Sequence, residues 1–441
     1  MKRKRIAMVC ALAFGATSAV CAGGALAQAG SVSAATSVQL YGHLDLSFDD
    51  ANKGLAGRTG TSANSDLGMQ PDVSSNLSSF GVRGSHDLGE GNGLKAVFQI
   101  ETQVDVSATP GSTTDASVKG ALGSRNSFLG LAGDFGAVKL GKTDAPYKLS
   151  TGRMDPFSAS VGDYNSIMGN TGGDNRAEFD TRISHAVWYE SPKMGAVSFS
   201  ALLSPNQNRS TDNINVPSGE PNCNGGNPPD CTDGSNGNIY SLAGVYAAGP
   251  VYAIVAYEMH KKVNRTGDEN GGTVPVGAVG IADEHAIKAG VQYKFPSNTT
   301  LNFILEKMVR DAPNPNFNER ERTGFWLALT QKMTAQDDFN VGLAHAGKSP
   351  GTPGATVSDG TTVTGSVDNA ANMLSLGYKH HFADKQTTWY AVYARQANHD
   401  AAHYDLGASG HGITTDCHDA AGNCFAGATV TAVSVGMTYN F

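Results

Sequence analysis

From residue 38 to residue 48 the chain reads VQLYGHLDLSF, and every even position except Gly42 is apolar. Side chains alternate across an extended strand, so one face of this segment is oily and the other polar. Residues 429–441 repeat the pattern: Val433, Val435, Met437, Tyr439 and Phe441 share one face, and Ala432, Ser434, Gly436, Thr438 and Asn440 share the other. A half-apolar strand running to the final residue leaves an open edge of unpaired backbone groups unless it joins another strand of the same sheet. Closing that sheet into a barrel removes the edge.

The same two-residue period recurs between these ends, in segments joined alternately by short turns and long polar loops. Short turns link 80–85 to 94–101, 125–131 to 137–141, 182–189 to 197–203, 240–246 to 251–257 and 285–295 to 301–309, then 324–330 to 339–346 and 373–381 to 388–395. The long connections are 50–77, 104–124, 143–180, 204–238, 261–282, 310–322, 347–370 and 397–428. With the first and last strands the count is about sixteen, an even number within the range of bacterial barrels. The spacing therefore predicts an all-β fold, a 16-stranded antiparallel transmembrane β-barrel with short periplasmic turns and long outer loops. A soluble sandwich does not sort its connections by rim in this way.

Composition narrows the choice of solvent. Hydrophobic residues make up 40% and mean hydropathy is -0.25. After the first segment, no run approaches the eighteen or so apolar residues of a spanning helix. A helical membrane protein is excluded, whereas a barrel needs only alternate residues apolar. Glycine, at 54 of 441, follows no collagen period and suits many tight turns.

Residues 1–27 carry Lys2, Arg3, Lys4 and Arg5, then an apolar stretch, then Ala25-Leu26-Ala27. These are the three parts of a cleaved secretory signal, leaving 28–441 as one barrel domain. Loss of the four basic residues takes the formal charge from -8 to -12. An acidic mature chain argues against nucleic-acid binding, which needs a basic surface.

Four cysteines remain in two close pairs, Cys223 with Cys231 and Cys417 with Cys424, each in a loop rich in small and polar residues. An exported chain is expected to hold them as two loop disulfides, although spacing alone does not prove the pairing. His403, His411 and His418 lie beside the second pair, but ligands need fixed geometry and a long Gly-rich loop does not supply it, so no metal is expected. No nucleophile elbow, zinc-protease helix or phosphate-cradling loop occurs, and the chain is read as no enzyme and without cofactor.

Several stretches, taken in order, resemble the Gram-negative general porins of the β-proteobacterial (neisserial, Burkholderia or Bordetella) type. They are VQLYGHLD at 38–45, SFGVRGSHDLG at 79–89, GLKAVFQIE at 93–101, SRNSFLGL at 124–131, FGAVKLGK at 135–142, VWYESP at 187–192 and the terminal Phe441. The resemblance implies a homotrimer in the bacterial outer membrane, in contact with its lipid and lipopolysaccharide, and a third loop folded into the lumen as a constriction. Trp188 and Lys139 depart from the family pattern, so charge placement need not follow it.

Permeation needs a water-filled lumen of suitable width and field, not a reacting group. If Leu40, Val82, Phe98, Phe128 and Val138 face lipid, then Tyr41, Asp45, Arg83, Lys95, Gln99, Glu101, Arg125 and Lys139 face the lumen, and Arg182 does so if Ile183 is outward. Lys142 follows on the same wall. The loop 143–180 brings Asp144, Asp155, Asp163, Asp174, Glu178 and Asp180 against Lys148, Arg153 and Arg176. An acidic loop laid across a basic wall would set a transverse field at the narrowest point, with Arg83, Lys95, Arg125, Asp155 and Asp163 at or near it. The expected function is passive diffusion of small hydrophilic solutes and ions. The alternative is an outer-membrane enzyme or surface-recognition barrel acting through its outer loops.

Overall fold

The computed structural model describes residues 36–52, 69–90, 92–107, 122–169, 179–205, 238–264, 281–310, 321–348, 368–400, 402, 404, 406, 427 and 429–441. The expected signal and all four loop cysteines lie outside them. The strands are β1 Thr36–Ala51, β2 Gln70–Ser75, β3 Ser79–Asp87, β4 Lys95–Gln103, β5 Ser127–Gly133, β6 Gly136–Asp144, β7 Arg182–Glu190, β8 Val197–Ser204 and β9 Ile239–Ala248. There follow β10 Val251–Asn264, β11 Ile281–Lys294, β12 Thr299–Arg310, β13 Arg322–Lys332, β14 Asp337–Ala346, β15 Ala371–His381, β16 Thr387–Asn398 and β17 Thr429–Asn440.

Every paired strand runs antiparallel to its neighbour, and β1 closes on β17 from His43–Asn440 to Ala51–Ala432. On its other side β1 pairs with β3 through its lower half and with β2 through its upper half. These two segments are therefore one stave broken at 76–78, and the barrel has sixteen staves. Leu77 stands at φ 54 in the break, a left-handed conformation that interrupts a ladder. Inside the break, Asn76 donates to Ser47 Oγ at 2.9 Å, and the Tyr390 hydroxyl donates to Asp45 at 2.8 Å. The upper half, β2, falls within the expected long connection 50–77; its short QPDVSS stretch carries little alternation.

The apolar face points outward, as the alternation requires: Leu40 is 63% exposed, Val255 57% and Met437 53%. Inward partners such as Ser375, Ser434 and Asn340 are buried. Two orientations differ from expectation. Leu129 and Leu131 are the exposed pair on β5, so Phe128 turns inward and meets Trp188 edge-on at 5.5 Å. Ile183 is also buried on the inner side, because the β6–β7 register shifts between Gly141 and Thr143 and resets the parity of β7.

The third long loop folds into the barrel. It opens with α1, Pro146–Thr151, whose first residue needs no N–H donor. Single 3-10 turns follow at Gly152–Met154 and Tyr164–Ser166. Met154, Phe157, Val161, Ile167 and Met168 pack on Ile254, Ile304, Trp326 and Val392 of the opposite wall. A hydrophobic core thus lies between the loop and this wall, and a second one joins Ala145, Tyr147 and Phe179 to Ile183, Ala186 and Trp188 of β7. Strands β12 and β13 announce this by being apolar on both faces, as in Phe303-Ile304-Leu305 and Phe325-Trp326-Leu327.

Candidate functional site

Most of the expected lining residues fall on the wall formed by β1 and β3 to β7. Alternation on β4 puts Gln99 and Glu101 inside while Ile100 is 53% exposed outside. Glu101 accepts from the Tyr41 hydroxyl at 2.8 Å and from Arg125 Nε at 2.5 Å. Arg83 lies over the Tyr41 ring at 4.7 Å and donates to Gln39 at 3.0 Å. Farther up, Asp144 is buried and held by Lys148 and Arg182, each at 3.2 Å. Arg182 reaches this pair and Asn126 at 2.7 Å even though Ile183 is not outward. Lys142 stands beside them and touches the Gly123 carbonyl at 3.5 Å. Tyr41, Arg83, Glu101, Arg125, Lys142 and Arg182 are thereby brought together along one wall.

Other expected lining residues sit elsewhere. Lys95 is opposite Asp87 at the short-turn end of β4. Lys139 binds Glu190 at 2.7 Å, next to the short turn that starts at Ser191. Both lie toward the short-turn ends of their strands. Asp45 is buried in the network at the broken stave.

The loop carboxylates Asp155 and Asp163 are buried. Asp163 is 1% exposed and accepts from the Asn165 and Ala159 amides; Asp155 is buried and accepts from Phe157 N at 2.9 Å. Burial, then the adjacent Asp163 carboxylate, pushes the Asp155 carboxyl well above the ordinary carboxylate range. Both acids are drawn to the loop's own backbone amides, as short polar side chains in a tight loop are. Asp174 and Glu178 lie outside the described residues. Two loop cations stay accessible: Arg153 is exposed, stacked over Tyr252 of β10 at 4.2 Å and bonded to Gln292 of β11 at 2.9 Å, and Lys148 is partly exposed beside Asp144.

Against the far wall the loop is held by polar groups as well as oil. Lys288 donates to Thr151 Oγ1 at 2.8 Å and to Asp180, and lies over the Tyr147 ring at 4.0 Å. Glu306 accepts from the Tyr147 hydroxyl at 2.7 Å and from Gly169 N at 3.1 Å. Sequence reasoning missed this pair. Its signal is the β11–β12 hairpin, where Glu284 faces Arg310, Lys288 faces Glu306 and Gln292 faces Asn302, all inward and symmetric about the turn at Ser297.

A profile described as Gram-negative porin matches residues 15–401. The chain belongs to the Gram-negative porin family. Its place is the outer membrane. This porin is 31% identical over 191 residues to the major outer membrane protein P.IA of Neisseria meningitidis serogroup A, a match covering 40% of the chain and 44% of that protein. It is 32% identical over 136 residues to P.IB of Neisseria meningitidis serogroup B, covering 31% and 35%. The aligned stretch is thus less than half the length of these curated relatives.

Among solved structures, the anion-selective porin from Comamonas acidovorans matches with a TM-score of 0.64 at 21% identity, covering 92% of this porin and all of that chain. Salmonella typhi OmpF matches at 0.56 and 14%, covering 92% and 97%. The trimer form of Vibrio cholerae OmpT matches at 0.54 and 14%, covering 92% and 100%. At these identities the likeness is one of fold.

Proposed function

We propose that this porin is a passive diffusion channel for small hydrophilic solutes and ions, narrowed between the third loop and the β4–β7 wall, and that it favours anions. The observation that carries the preference is the sign of the charges left over on this wall and the loop. Among the described residues, Arg83, Lys142 and the exposed Arg153 pair with no carboxylate, Lys148 and Arg182 outnumber the one carboxylate they share, Asp144, while Asp155 and Asp163 are buried and Glu101 is bonded to Arg125. A low-dielectric wall focuses the field of such charges into the water path, and those within a Debye length of ~8 to 10 Å act together. The structural likeness to an anion-selective porin agrees with this reading. Family membership favours a channel over the enzyme or adhesin alternative.

The active form is proposed to be a homotrimer, in line with a fold neighbour recorded as a trimer. Lys307 and Arg395 stand outward and exposed toward the long-loop end of β12 and β16, a placement suited to lipopolysaccharide phosphates.

Reversal potential in a KCl gradient across a planar bilayer tests the assignment. Chloride should carry most of the current, and Arg153→Glu should lower the chloride-to-potassium permeability ratio at least about twofold. Cation preference in the wild type would overturn the charge reading, and absence of conductance would overturn the channel.

A further inference from the structure

Lys288 and Glu306 are direct cross-strand neighbours, each 1% exposed, and each turns to a different part of the third loop. Lys288 takes Thr151, at the end of α1, and Asp180, where the loop rejoins the wall. Glu306 takes Tyr147, inside α1, and the amide of Gly169. The two carboxylates flank the same glycine: a Cβ on Gly169 would lie 2.7 Å from Asp180 Oδ2. Three charges of a single cluster therefore grip both ends of the loop, two of them negative.

The groups around the cluster have other engagements. On β10, His260 binds Glu258 at 3.0 Å; on β11 and β12, Glu284 binds Arg310; on β13, Arg322 donates to the Ile167 carbonyl at 3.2 Å and to Tyr404. On the loop side, Tyr164 shares a hydrogen bond with Thr151 at 3.1 Å. Lys288 is the cation bonded to Asp180 and set beside Glu306.

Resting on the channel reading above, we propose that Lys288 is a positioning residue that sets the aperture: its cation, bonded to Asp180 and set beside Glu306, offsets one of the two clamping charges while Arg322 helps to offset Glu306, and without Lys288 the carboxylates would repel and lift the loop from the wall as pH rises. Like charges buried together cannot both ionise at low cost, so in acid one stays protonated and the loop remains seated. Above that range both ionise, and separation of the loop from the wall relieves the repulsion. The intact protein, with Lys288 between them, keeps its aperture across the same range.

Liposome swelling with sugars of increasing size at pH 4.5 and pH 8 provides the test, with heat-modifiable migration as the control for folding. Relative to wild type at the same pH, Lys288→Met should raise tetrasaccharide entry at least about threefold at pH 8 and leave it unchanged at pH 4.5. Adding Glu306→Gln to that variant should return the wild-type size limit at both pH values, and Lys288→Arg should behave as wild type. A folded Lys288→Met protein with the wild-type limit at pH 8, or a widening that Glu306→Gln does not reverse, overturns the proposal. Should Lys288→Met not fold, Lys288→Gln keeps a donor for Thr151 without the charge and should widen the limit at pH 8; no widening overturns the proposal equally. Wild-type liposomes closed even to a pentose would refute the channel itself, and amide exchange at Gly169 would still report whether Lys288 seats the loop.

Discussion

Asp163 accepts two backbone N–H groups, from Ala159 at 3.0 Å and Asn165 at 2.9 Å, and so caps the one-turn helix that follows it. Ala159 is held at φ 61, a conformation costly for a residue with a side chain. Asp163→Ala should cost about 1 to 3 kcal/mol of local stability, read as faster amide exchange at Ala159 and Asn165 with the barrel intact. Asp155 adds a pH dependence. Its carboxyl is raised by burial first and by Asp163 second, so the folded loop favours the neutral form. That stabilisation is complete below the unfolded pKa and declines as pH rises through the folded one. Loop amide exchange, corrected for its intrinsic rate, should therefore quicken with pH in the wild type and lose that slope in Asp155→Asn. The acidic character of 143–180 was legible in the sequence. The direction its carboxylates face was not, since that depends on which loop amides lack a partner once the chain has turned.

The strand that closes the barrel makes a similar point at the level of an element. The residue that follows it, Phe441, exchanges hydrogen bonds with Gly42, at 3.0 and 3.1 Å, and lays its ring on that glycine. A Cβ on Gly42 would meet Phe441 at 2.1 Å. Gly42→Val should therefore overpack the seam at a cost of about 1 to 3 kcal/mol, seen as a lower yield of heat-modifiable barrel; an undiminished yield would refute the account. Gly42 was the one gap in an otherwise regular apolar row, and the ring it admits lies at the far end of the chain. Strand positions were legible because a period of two survives whatever the loops do. Ile183 escaped because parity carries over only while no residue is inserted, and the shift between Gly141 and Thr143 breaks it on β7, whereas Phe128 shares the inward face of its cross-strand partner Gln99.

For the molecule as a whole, the outward row on β11 to β13 runs through Val291, Phe303, Leu305 and Phe325, exposed at 36 to 46%. Leu305 lies within that row, flanked by Ala289 and Phe325. Leu305→Lys should destabilise the membrane-inserted barrel by about 2 to 4 kcal/mol if that level is the bilayer midplane. Denaturant titration in lipid vesicles would measure it, and a value near zero would mean the row does not face hydrocarbon. Rim sorting of long and short connections made the barrel legible. The apolar lining under the third loop was less so, because two apolar faces on one strand show that something covers the inner one without naming the loop that does.

The first strand divides its length among three neighbours, and two of them, β2 and β3, come next in order while the third is the last to be made. Until β17 arrives, the upper half of β1 has one flank of amides and carbonyls with no mate. Such long-range pairing makes folding slow and leaves the nascent sheet sticky in the interval. An early stave that must wait for the final one gives a holdase a fixed target, and it makes completion of the circle a late, all-or-none event.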